Sequence, residues 1–286
     1  MEHSIEIVEL QANGFTFRCR TCGMENTGDP VILLHGFPET SHMWIEVMLS
    51  LAAKGYRCLA PDQRGYSPGA RPENIAEYEI DKIASDVIKL ANLVGFSKKF
   101  HLVAHDWGAG CGWTVVELYP DRVQSWTALS IPHMAAFDWA KKSDPDQIKR
   151  SWYMEFFQFP LIPEQIFGLL TGSSPSSFWK LSTPGEVTDY LTVFGTFQGR
   201  KAAINWYRAN HELPIEYGDV DLPTLFIWGN QDIAVGKAGV EATKQYMKGE
   251  YSQIELDAGH TLVQEQFKRV DREILNFIQR HSTSKA

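Results

Sequence analysis

The chain has 286 residues, with 44% hydrophobic and 22% charged, and a formal net charge of −8; this supports one sizeable buried core and argues against disorder. The acidic balance excludes the basic face that phosphate binding needs, so no nucleic-acid partner is expected, and the substrate should be small and largely uncharged. No apolar run reaches the roughly eighteen residues of a spanning helix, and Met1–Leu10 carries Glu2, Glu6 and Glu9; neither a signal peptide nor a membrane span is predicted, and a reducing cytoplasm is the expected compartment.

In chain order, Ile5-Glu6-Ile7-Val8 and Phe15-Thr16-Phe17-Arg18 alternate with period two around Asn13-Gly14, the turn chemistry of a hairpin. Cys19 and Cys22 have a redox- or metal-like gap, but no second Cys/His pair at zinc spacing follows, so they read as strand residues. Cys58 and Cys111 read as buried and structural. A buried strand Val31–Leu34 leads into His35-Gly36-Phe37-Pro38, a helix follows over about 43–54, and Arg57–Ala60 is the next strand. Asp62 is expected to cap the following loop together with Arg64. A helix over about 80–94 presents Ile83, Val87, Leu90 and Leu93 at helical spacing. Then come the strand His101–Ala104, a helix over about 109–119 and the strand Ser125–Leu129.

From about His133 to Tyr217 the rhythm changes. Strand candidates are few, aromatics are many, and Pro160, Pro163, Gly172, Pro175, Pro184 and Gly199 punctuate the stretch. It reads as a helical insertion. The strand Thr224–Trp228 resumes the earlier rhythm, a late strand precedes Asp257, and Val270, Ile274, Phe277 and Ile278 mark a final helix face. The alternation of short apolar runs with helix-length stretches predicts an α/β fold with a mostly parallel sheet and crossover helices. The core is expected over 1–132 and 216–286, with a helical cap over 133–215. No internal repeat is present.

The chemistry concentrates at His105-Asp106-Trp107-Gly108, where the run Phe100–Ala104 ends. A sharp strand-to-helix turn holds its central residue in strained backbone angles and requires small neighbours two positions away on either side; Ala104 and Gly108 are small. The residue so placed is Asp106, and a carboxylate nucleophile attacks an electrophilic carbon, becoming esterified itself. It needs oxyanion donors, a base for water and an acid to orient that base. The backbone N–H groups of Phe37 and Trp107 are the candidate donors, His260 in Asp257-Ala258-Gly259-His260 the base, and Asp232, just past the strand Thr224–Trp228, the acid. All fall at the carboxyl ends of predicted parallel strands, where open sheets place their sites.

The chain order nucleophile, acid, histidine is that of the α/β-hydrolases. With His35-Gly36-Phe37-Pro38-Glu39, Asp62-Gln63-Arg64-Gly65-Tyr66, His105-Asp106-Trp107-Gly108 and Gly259-His260, the chain resembles the epoxide hydrolase branch, relatives of the haloalkane dehalogenases, nearly end to end. The resemblance implies the α/β-hydrolase fold: a mostly parallel eight-stranded sheet flanked by helices, with an inserted helical cap. It implies conversion of an apolar epoxide and water to a vicinal diol, with detoxification as the setting, and no metal or organic cofactor. Epoxide hydrolases supply two cap tyrosines to the leaving oxygen. Asn205-Trp206-Tyr207-Arg208 resembles the second tyrosine motif closely, and Trp152-Tyr153-Met154-Glu155-Phe156-Phe157-Gln158 the first more loosely.

Two alternatives remain at this point: a haloalkane dehalogenase with the same triad, and a catalytically silent ligand-binding member of the fold. A fluoroacetate dehalogenase would carry arginine where Trp107 stands. The sequence departs from relatives in Ala104, where many hydrolases have glycine, and in Thr261-Leu262 after His260. His105 is expected to support the elbow. His42, His101, His133 and His211 read as structural or surface groups, with His133 near the cap entrance and within reach of substrate. Phe156, Phe157, Phe159, Phe167, Phe178, Trp179 and Phe197 are candidates for an apolar pocket or for the core of the insertion. Ser284-Lys285-Ala286 resembles a peroxisomal address only loosely. Nothing in the sequence reports oligomeric state.

Overall fold

The first two strands, β1 (Glu6–Ala12) and β2 (Phe15–Cys22), form the expected hairpin; β1 begins one residue after Ile5, and each runs past the expected Val8 and Arg18 ends. Asn13 and Gly14 take φ of 49° and 83°, the positive values that let a two-residue turn match the twist of its strands. The protein is described here by a computed structural model covering residues 3–212 and 215–283, apart from the side chains of residues 176 and 177. The carboxyl-terminal Ser284-Lys285-Ala286 lies outside the described residues.

Six further strands complete one sheet: β3 (Pro30–Leu34), β4 (Arg57–Pro61), β5 (Phe100–His105), β6 (Val123–Leu129), β7 (Thr224–Gly229) and β8 (Tyr251–Leu256). The eight strands are ordered β1-β2-β4-β3-β5-β6-β7-β8, and β2 alone runs against the others. The centre is buried on both faces: every residue of β3 and β5 is buried, as expected where crossover helices cover a parallel sheet. The late strand, β8, is an edge with polar residues turned outward.

Helices α1 (Ile45–Ala52), α2 (Ile80–Leu93) and α3 (Trp107–Leu118) follow β3, β4 and β5. The predicted helix over about 43–54 begins as a short 3-10 turn, Ser41–Trp44, where the Thr40 hydroxyl accepts from the His42 N–H. Among the described residues, seven helices then separate β6 from β7: α4 (Met134–Ser143), α5 (Pro145–Arg150), α6 (Trp152–Phe156), α7 (Ile162–Ser173), α8 (Pro175–Phe178), α9 (Pro184–Phe194) and α10 (Phe197–Ala209). After β7 come α11 (Lys237–Ala242), α12 (Leu262–Glu265) and α13 (Phe267–His281), the last burying Val270, Ile274, Phe277 and Ile278 as its spacing predicted.

A buried ionic cluster ties the inserted helices to the sheet. Asp189 of α9 accepts from Arg18 at 2.8 Å, from Arg20 at 2.5 Å and from the Thr40 hydroxyl at 2.5 Å. Burial opposes its charge, but hydrogen bonds from Arg18 and Thr40 and the charges of both arginines hold its carboxyl down at about 2. Asp62 completes the cluster, accepting from Ser41 N–H at 2.9 Å and from Arg18 at 3.0 Å. This corrects the pairing expected for Asp62: Arg64 turns the other way, onto Asp86 at 2.7 and 2.8 Å and the Glu77 carbonyl at 2.6 Å. Arg18 and Arg20 lie two apart on β2 and point to one side, where they claim Asp62 first.

All four cysteines are buried free thiols, with Cys19 and Cys22 in β2. Among the described residues, no group of His, Cys, Asp or Glu has the arrangement of a metal site, and no helix is long and apolar enough to cross a membrane.

Candidate active site

Between β5 and α3 the chain turns on one residue. Asp106 has φ 50° and ψ −126°, a conformation that an L-residue holds only when its surroundings over-determine it. Those surroundings are tight: a Cβ on Gly108 would fall 2.3 Å from the Leu34 carbonyl oxygen, and one on Gly36 would fall 2.3 Å from the Asp106 Cβ. Glycine at 36 and 108 therefore lets the loop after β3 close over the elbow. Ala104 is fully buried in β5, small enough to leave the turn room.

The two oxygens of Asp106 have different tasks. Oδ1 accepts from the Phe37 N–H at 2.6 Å, and the Trp107 N–H also donates to the carboxylate. Oδ2 faces Nε2 of His260 at 3.2 Å. On the other side of that imidazole, Nδ1 meets Oδ2 of Asp232 at 2.7 Å. Asp232 is itself fixed, because its Oδ1 accepts from the N–H groups of Ala234 at 2.8 Å and Val235 at 3.0 Å. Its carbonyl takes a hydrogen bond from Arg150 of α5. The sheet thus delivers the predicted set from four strand ends: Phe37 after β3, Asp106 and Trp107 after β5, Asp232 after β7 and His260 after β8.

The electrostatics follow from this packing. Burial opposes the charge on Asp106, but the hydrogen bond and charge of His260, the charge of His105 and the Trp107 N–H outweigh it and lower its pKa. Burial likewise opposes a charged His260; the Asp232 charge and hydrogen bonds to Asp106 and Asp232 win, lifting the imidazole well above its usual range. An imidazolium flanked by two carboxylates is the state that this arrangement favours.

Tyr153 of α6 and Tyr207 of α10 border the same cavity as Asp106 and His260, of about 730 Å³. Their rings meet edge to face at 5.9 Å, and Tyr207 also packs against Trp107 at 5.0 Å and Phe37 at 5.4 Å. Burial first, then the charge of Asp106, raises both phenols above their ordinary value, so both are protonated donors at neutral pH. Phe157, Phe167, Phe178 and Trp179 line the cavity. Phe156, Phe159 and Phe197 do not: Phe156 packs beside Trp152 and Phe157, and Phe159 is exposed.

A family model described as the alpha/beta hydrolase fold matches residues 29–266. The chain belongs to the alpha/beta hydrolase family. Its relatives place this family member in the epoxide hydrolase branch. Epoxide hydrolase A of Mycobacterium tuberculosis is 30% identical over 316 residues, spanning 94% of this chain and 96% of the relative. Human epoxide hydrolase 4 is 30% identical over 292 residues, spanning 97% of this chain and 80% of the relative. The crystal structure of an epoxide hydrolase from Vigna radiata superposes with a TM-score of 0.82 at 27% identity, covering 96% of this chain and 98% of that one.

One histidine expectation needs correction in this alpha/beta hydrolase, and another gains its partners. His105, next to Asp106, ties the elbow to its surroundings: its Nε2 donates to the His260 carbonyl at 2.8 Å, while its Nδ1 lies 3.3 Å from Glu39 Oε2. It therefore clamps the histidine loop, with the Ser130 hydroxyl donating to the same carbonyl at 3.1 Å. His133 is buried and stacked on Tyr246 at 4.3 Å, outside the lining of the cavity, and burial depresses its pKa to about 4. Sequence reasoning missed Glu39 and Arg150. Glu39 stands in His35-Gly36-Phe37-Pro38-Glu39 and was legible as a neighbour of the Phe37 donor; Arg150 carried no local signal.

Proposed function

We propose that this alpha/beta hydrolase converts an apolar epoxide and water to a vicinal diol through an ester on Asp106. The observation that carries the reading is the pair of protonated phenols, Tyr153 and Tyr207, bordering one apolar cavity with an ionised, hydrogen-bonded Asp106. Residues 133–215 act as the cap in this reading, and 1–132 with 216–286 as the core.

In the first step Oδ2 of Asp106 attacks a ring carbon. The carbon–oxygen bond breaks, and the departing oxygen takes a proton from the phenols. Oδ1 becomes the ester carbonyl oxygen, already accepting from the Phe37 N–H, while the Trp107 N–H donates to the same carboxyl group. Esterification removes one of the two carboxylates that hold the proton on His260, so its pKa falls; the imidazolium proton passes to the phenolate left by ring opening, and the neutral imidazole becomes a base. Water then gives a proton to Nε2 and its oxygen bonds to Cγ of Asp106. The negative charge of the tetrahedral intermediate falls on Oδ1, where the Phe37 N–H is already in place and the Trp107 N–H is close by as the second donor. Collapse expels the diol oxygen, which takes the proton of the hydroxyl added at Cγ, and so restores the carboxylate beside a re-formed imidazolium. Asp232 keeps the ring oriented throughout.

Halide departure needs no proton, so the haloalkane dehalogenase reading leaves both phenols without a task. A silent binding protein leaves the ordered triad without one. Diol formation from aryl and alkyl epoxides, measured beside Asp106→Asn, tests the proposal: wild type should form diol and the variant none. Halide release from haloalkanes without diol from any epoxide would reject it.

A further inference from the structure

Two cavities of unequal size meet at Asp106. The larger holds about 730 Å³ and opens at a rim where Trp152, Leu181 and Ile233 are 65%, 57% and 80% exposed. The smaller holds about 40 Å³ and is walled by Trp107, Gly110, Ile131, Met134, Phe137 and Met154, among others. Three residues line both: Asp106, Tyr153 and Tyr207. The groups assigned to ring opening thus stand at the boundary between a wide apolar chamber and a small one.

An epoxide attacked at carbon by Asp106, with its oxygen received by the phenols, has its ring carbon–carbon bond lying across the line between them. The substituents of the two ring carbons then diverge to opposite sides. From the mismatch of the two chambers we infer that the substrate class is an epoxide with one bulky apolar substituent, whose other carbon carries only hydrogen or a short group. The inference rests on the epoxide hydrolase reading above. At about 10–15 Å³ for each water-sized group, the small chamber admits about three heavy atoms. The large chamber, with its exposed apolar rim, accommodates an aryl group or a long chain.

The test compares kcat/KM for styrene oxide, trans-β-methylstyrene oxide and trans-stilbene oxide, which place hydrogen, methyl and phenyl on the second carbon. The first two should be processed comparably, and the third at least about 100-fold less well, because a misfit of even one methylene in an apolar pocket is worth about 10–200-fold. Gly110→Ala narrows the small chamber without strain: the new Cβ lies 3.5 Å from the Trp107 ring and 3.9 Å from Met134 Sδ, ordinary contact distances. It should lower the kcat/KM ratio of the methyl-bearing epoxide to styrene oxide about tenfold. Stilbene oxide turned over as well as styrene oxide, or an unchanged ratio in Gly110→Ala, overturns the inference while the epoxide hydrolase reading stands. No diol from any of the three overturns that reading instead.

Discussion

Tyr207→Phe removes one hydroxyl from the site and leaves its walls standing. The ring is boxed by Phe157 at 4.7 Å, Trp107 at 5.0 Å, Phe37 at 5.4 Å and Tyr153 at 5.9 Å, and phenylalanine keeps each of these contacts. Its backbone carbonyl still accepts from the Gln158 side chain at 3.1 Å. What is lost is a donor to an oxygen that becomes an alkoxide, a charge-assisted hydrogen bond of about 1.5–3 kcal/mol. That converts to a ring-opening rate about 10–150-fold slower, with Tyr153 still able to donate. Adding Tyr153→Phe removes the remaining donor, and the combined loss should reach the range of general acid catalysis, about 10²–10⁴-fold. The assay is single-turnover consumption of epoxide with enzyme in excess, alongside thermal unfolding to verify that the fold is retained. A well-folded double variant that opens the ring at the wild-type rate would refute the reasoning.

Two further predictions concern charge. Because burial and the Asp106 charge raise the Tyr207 phenol above its reference value of 10.0, the single-turnover ring-opening rate should fall on the alkaline side only above pH 10; a loss centred near neutrality would contradict it. Asp189→Ala should destabilise the protein by about 3 kcal/mol in urea unfolding at neutral pH, since it leaves the guanidinium groups of Arg18 and Arg20 with Asp62 as their one remaining carboxylate. The Asp189 carboxyl is depressed from 3.8 to about 2 in the folded state, so its stabilisation is fully present above about pH 4 and fades as pH falls toward 2. The gap between wild type and variant should narrow over that window. Equal stability at neutral pH would remove the cluster from the account.

The sheet was legible because its strands are short apolar runs bounded by turn residues, and the hairpin because Asn13-Gly14 has a steric reason to sit where it does. The site was legible for a related cause: the elbow demands small residues at fixed offsets, so Asp106 is marked by its neighbours as much as by itself. Asp232 and His260 could be placed because parallel strands bring their carboxyl ends to one edge. Side-chain partners across long sequence separations were not legible. Arg18, Arg20, Thr40 and Asp189 converge from three parts of the chain, so Asp62 took partners other than Arg64. His133 is the structural group it read as, but its reach toward substrate failed likewise. The partner of His105, a carbonyl 155 positions along, was equally out of view. In the aromatic-rich insertion, composition could not separate Phe157, which faces the cavity, from the exposed Phe159.

Everything assigned to this site turns on a covalent bond between Asp106 and substrate carbon. A single turnover in oxygen-18 water, with enzyme in excess over epoxide, interrogates that bond directly by locating the label. Attack by Oδ2 donates the carboxylate's own oxygen to the diol, and the water that cleaves the ester leaves its oxygen on Asp106. Mass analysis should therefore find the first-turnover diol unlabelled and the peptide containing Asp106 heavier by one oxygen-18. Label in the diol, with the Asp106 peptide unchanged, would show that water attacks the epoxide directly and would contradict the account.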